Sequence, residues 1–79
     1  ILAKDEDQLK AIAAFEQALA LNPQAPNVAY NLGLVHRDRQ EFAQALAWFE
    51  KAAEVNPKDE DAQYYIGQMQ EKLEGEEQG

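Results

Sequence analysis

The sequence predicts an all-α chain of about four helices, stacked as antiparallel pairs in a superhelical array. Three observations predict it. Apolar residues recur at helical spacing through most of the chain, as at Ala11, Ile12, Phe15, Ala18 and Leu19. Asn-Pro pairs, Asn22-Pro23 and Asn56-Pro57, stop that pattern twice. Proline cannot continue a helix and biases the residue before it away from helical backbone angles. Finally, the chain matches itself when slid by 34 residues. Ala11, Ala13, Phe15, Glu16, Ala18, Asn22 and Pro23 return as Ala45, Ala47, Phe49, Glu50, Ala52, Asn56 and Pro57, and Tyr30 and Gly33 return as Tyr64 and Gly67. Self-similarity at a fixed period is the mark of a helical solenoid.

Taken in order, the first helix is expected over residues 7–21, preceded by the acidic run Asp5-Glu6-Asp7. Acids suit a helix start, where they meet the positive end of the dipole. After a short linker, Pro26 suits the first turn of a second helix, expected over 26–39, because its missing N–H costs nothing there. This helix is apolar on several faces (Val28, Ala29, Tyr30, Leu32, Leu34, Val35), the signature of a helix held between neighbours. Gly33 in its middle costs about 1 kcal/mol relative to Ala and implies close approach by another helix. The third helix, 41–55, repeats the stripe of the first with Phe42, Ala45, Leu46, Phe49, Ala52 and Ala53. Asp59 offers an N-cap for a fourth helix over 59–74, with Ala62, Tyr65, Ile66, Met69 and Leu73 on one side. Residues 75–79 read as a disordered tail.

Composition excludes more than it assigns. Seventy-nine residues make at most one small domain, and 46% apolar content argues against bulk disorder. A formal charge of −8 argues against nucleic acid, whose phosphates need a basic face, and against anionic membrane surfaces. The chain has no Cys, Ser or Thr, which removes disulfides, thiolate and hydroxyl nucleophiles of those types, and N-glycosylation together. His36 is the single histidine and has no convergent partners for a zinc site; a packing role is expected instead. Glu50 and Glu54 lie one turn apart on a polar face, which reads as a surface and not as an active site. No catalytic residue, metal or cofactor is expected, so the chain is read as non-enzymatic. Without an apolar run of spanning length, a soluble, cytoplasmic protein is expected. The first residue is Ile rather than Met, which suggests a piece of a longer chain.

The period, Leu32-Gly33, Ala45-x-x-x-Phe49 and Pro57 together resemble the tetratricopeptide repeat (TPR) family. Residues 26–59 match one complete repeat. Residues 1–25 match the second helix of a preceding repeat, and 60–74 the first helix of a following one, placed to act as a polar cap. Ala29 and Gln63 stand where the family pattern favours Trp, and His36 and Gln70 where it favours Tyr. The resemblance implies a non-catalytic module that binds a peptide or protein segment in a concave groove lined by the first helix of each repeat. Carried over residue by residue, the groove positions would be Asn27, Tyr30, Asn31, Leu34 and Asp38 on the second helix. On the fourth they would be Asp61, Tyr64, Tyr65, Gln68 and Lys72. Some members clamp an acidic tail with Lys and Asn, but Tyr30 and Leu34 occupy two of those places here. The expected partner is therefore an apolar or basic protein segment, with no nucleic acid and no membrane. The alternative is a structural segment that stacks on further repeats or self-associates as a homo-oligomer, through Ile12, Phe15, Ile66 and Met69 at its open ends.

Overall fold

A computed structural model describes the backbone of residues 2–78 and the side chains of residues 5–25 and 27–75. Four helices follow one another: α1 Leu2–Leu21, α2 Pro26–Asp38, α3 Phe42–Val55 and α4 Glu60–Gln78. They form a slab of 39 × 37 × 15 Å in which each helix packs on the next in sequence. No strand is present among the described residues. The fold is the all-α array of antiparallel helix pairs that the sequence predicts.

The helix boundaries follow local chemistry. Asn22 and Asn56 end α1 and α3 by donating their backbone N–H to Ala18 and Ala52, one turn back. Asn22 also accepts a hydrogen bond from the Gln24 backbone at 3.2 Å. Asp59 caps α4 as expected: its Oδ1 accepts the N–H groups of Asp61 and Ala62, at 3.0 and 3.2 Å. Between α2 and α3 the chain turns through Gln40, whose φ of 63° is left-handed. Its N–H donates to the Arg37 carbonyl while that of Glu41 donates to His36, both at 2.9 Å. That pair of bonds is a Schellman closure with glutamine in the place usually given to glycine.

Two boundaries differ from expectation. Helix α1 already includes Leu2, because nothing between Leu2 and Asp7 breaks a helix and most of those residues favour one. Helix α4 runs to Gln78, so the disordered tail expected from residue 75 is corrected over 75–78. One glycine, Gly75, weakens a helix without ending it, and the glutamates and glutamine that follow are good helix formers with no proline among them. Gly79 lies outside the described residues.

The core lies between α2, α3 and α4. Ala29, Leu32, Ala45, Phe49, Ala52, Ala62 and Met69 are each at most 1% exposed. Ala29, Ala52 and Ala62, one from each of these helices, form the first cluster, with Trp48 and Tyr30 against it. Ala45, Phe49 and Met69 form the second cluster, flanked by Leu34, Phe42, Leu46, Tyr65 and Ile66. The close approach inferred at Gly33 has a definite cause. A methyl carbon there would stand 2.6 Å from the Phe49 ring, well inside van der Waals contact. Glycine is needed so that the phenyl ring of α3 can lie on the backbone of α2.

Candidate binding groove

An aromatic cluster joins α2 and α4 over α3. Tyr65 of α4 stacks on Phe49 with ring centroids 5.0 Å apart and planes 14° from parallel. Tyr30 of α2 meets Phe49 edge-on at 5.7 Å and lies 5.9 Å from Tyr65. Tyr64 sets its edge against Tyr65 at 5.3 Å. The row Tyr30, Tyr65, Tyr64 thus runs across both helices, anchored on a buried Phe and ending in an open ring.

The two tyrosines one period apart have different fates. Tyr30 is half-buried and packs into both core clusters, so much of its ring is structural. Tyr64 is 61% exposed, and its hydroxyl accepts a 2.7 Å hydrogen bond from the Gln68 side chain one turn on. That bond braces the ring in an otherwise open setting. The Arg37 guanidinium lies 5.0 Å from the Tyr65 ring centroid, while bonding Asp38 at 3.1 Å. Its contact with the ring across the helix pair has no signature in local sequence.

The remaining groove positions divide. Leu34 packs on the core beside Ala45, Phe49 and Met69. Asn31 is half-buried, and Asn27, Asp38 and Asp61 are exposed. Lys72 reaches α3, with its ammonium 5.9 Å from the Phe42 ring. Gln68, Glu71 and Lys72 line an open depression of about 440 Å³. Burial pushes the Tyr30 hydroxyl pKa up, and Tyr65, Asp61 and Asp59 push it further.

His36 takes a packing and bonding role. Its Nδ1 lies 2.7 Å from a carboxyl oxygen of Glu41, at the foot of α3. Arg39 bonds the same Glu41 oxygen at 3.2 Å and reaches back to Asp5 and to Gln8 of α1. This polar network ties α1, α2 and α3 at one edge. Among the described residues, no cluster of His, Cys, Asp and Glu is arranged to hold a metal ion. Nor is any helix among them long and apolar enough to cross a membrane.

Stacked helix pairs that repeat along the chain define a helical-repeat protein. The model of the tetratricopeptide repeat family matches residues 4–60, most of the chain, and the chain belongs to that family. Its members are generally protein-interaction and scaffold modules, typically without catalytic activity. None of the curated proteins compared matches the chain.

Proposed function

We propose that the chain is a protein-interaction module that holds an extended apolar or basic segment of a partner across α2 and α4, acting as an adaptor or scaffold. The observation that carries this reading is Tyr64, a large aromatic ring 61% exposed and braced by Gln68 beside Tyr65. Exposed tyrosine suits recognition, because its rigid ring buries much area at little entropic cost while its hydroxyl stays hydrogen-bonded. Exposed acids at Asp38 and Asp61, on a chain of net charge −8, favour cationic side chains in the partner.

The test is a display of short peptides alternating Leu with Lys, against the same peptides carrying Glu for Lys. Wild type is expected to retain the Lys series and not the Glu series. Tyr64→Ala with Gln68→Ala should lower that retention about tenfold or more, with an unchanged circular dichroism spectrum. Tyr30 is unsuitable for this purpose, since truncating it also removes core contacts. Equal retention of both series, or an unaffected double variant, would refute the reading.

A further inference from the structure

The last turn of α2 brings together three features that each favour a positive charge. The Tyr65 ring offers an electron-rich face. Asp38, the last residue of α2, adds a carboxylate whose side chain is 55% exposed. The C-terminal end of the helix adds the negative pole of its dipole, where an acid is out of place and a cation is welcome.

The chain fills this spot itself. The Arg37 guanidinium lies over the Tyr65 ring, 5.0 Å from its centroid, and donates to Asp38 at 3.1 Å. A planar guanidinium suits such a place, since it stacks on a ring and pairs with a carboxylate at once. Its hold is slight. Asp38 is the next residue along, the Arg37 side chain is 33% exposed, and exposed ion pairs of this kind are weak. Arg39, by contrast, is committed to Glu41, Asp5 and Gln8, a structural post that Arg37 lacks. The buried Phe49 stacks on Tyr65 and keeps that ring in position whether or not the guanidinium is there. When Arg37 swings out, it leaves a formed site behind.

We propose that Arg37 is a built-in competitor for the groove, and that an arginine of the partner segment displaces it, taking the Tyr65 face and the Asp38 carboxylate in its stead. The inference rests on the groove reading above and narrows it: the cation bound at this turn is a guanidinium, and the free chain keeps the place closed. The two guanidinium groups carry like charge, so the site takes one at a time. The affinity for the partner is then the intrinsic one reduced by the fraction of time that the ring stands free.

The probe is a dye-labelled peptide alternating Leu with Arg, titrated by fluorescence anisotropy in about 0.5 M NaCl to screen the long-range pull of the net charge. Wild type is expected to bind it about fivefold more tightly than the Leu-Lys peptide. Arg37→Gln is expected to tighten the Leu-Arg complex about fivefold further, the gain expected if Arg37 covers the ring about four-fifths of the time. Lys58→Gln, exposed in the α3–α4 connection, makes the same change in net charge and should alter the affinity by less than about twofold. A second readout needs no variant to bind. The Nε proton of Arg37, assigned by its loss in Arg37→Gln, should be shielded by the Tyr65 ring in the free chain and lose that shielding as the peptide saturates. A weaker complex with Arg37→Gln would overturn the proposal, because Arg37 would then hold the partner itself. Equal tightening by Lys58→Gln would overturn it too, by assigning the gain to net charge. A saturated wild type in which the Arg37 proton keeps its shielding would defeat displacement and leave the groove reading standing. Capture of the peptide by neither wild type nor Arg37→Gln would defeat both.

Discussion

At the scale of single residues, the contact of Phe49 with Gly33 carries much of the stability. Phe49 is wholly buried, stacks on Tyr65 and meets Tyr30 edge-on, so truncation removes contacts with both α2 and α4. Phe49→Ala should cost about 3–5 kcal/mol, most of what a domain of this size has. Gly33→Ala should cost about 1–3 kcal/mol despite alanine's better helix propensity, because the Phe49 ring must shift to admit the methyl. Denaturant titration checks both, and a neutral Gly33→Ala would contradict the packing described. Titration of Glu41 gives a second residue-scale expectation. Its hydrogen bond with His36, then the nearby Arg39, holds its carboxyl pKa below the ordinary value against the opposing effect of burial. A lowered folded-state pKa contributes stability that is present above the ordinary carboxylate range and lost as pH falls through the lowered value. Glu41→Gln should therefore flatten the acid side of the stability curve, as pH falls through and below the ordinary carboxylate range, in thermal melts. An unchanged acid slope would show that the bond adds nothing.

Among the elements, the helices and their stops were legible because each has a local cause. The Asn-Pro pairs and the Asp59 cap act within a few residues, and the apolar stripe of α3 faces the core as its spacing requires. The ends of α1 and α4 were less legible, since no single residue there forbids a helix and only the sum of weak preferences extends them. The α2–α3 turn hid its chemistry altogether: nothing in glutamine announces a left-handed residue at position 40. That conformation costs an L-residue about 1–2 kcal/mol, which glycine would relieve while adding unfolded-state entropy of about 0.5–1 kcal/mol. Gln40→Gly should therefore raise the melting temperature by a few degrees. A lower melting temperature would mean that the Gln40 side chain stabilises the turn.

For the molecule as a whole, the period placed side chains in register without fixing how deeply each is buried. Tyr30 and Tyr64 hold the same position on α2 and α4, yet one packs into both core clusters and the other stands 61% exposed. The same limit hid Arg37 over Tyr65 and the reach of Arg39 to Asp5, which join residues distant in sequence. Charge works at this scale too. At −8, the field of the chain favours cations over anions, so added salt should weaken the proposed capture of a Lys-bearing segment. The most direct measurement of the groove reading is an NMR titration of the labelled chain with the Leu-Lys peptide, mapping amide shifts along the backbone. The largest changes are expected at Tyr64, Tyr65 and Gln68 on α4 and at Asn31 and Asp38 on α2, with α1 almost silent. Shifts concentrated on α1 or on the outer side of α3, with α2 and α4 unmoved, would contradict it.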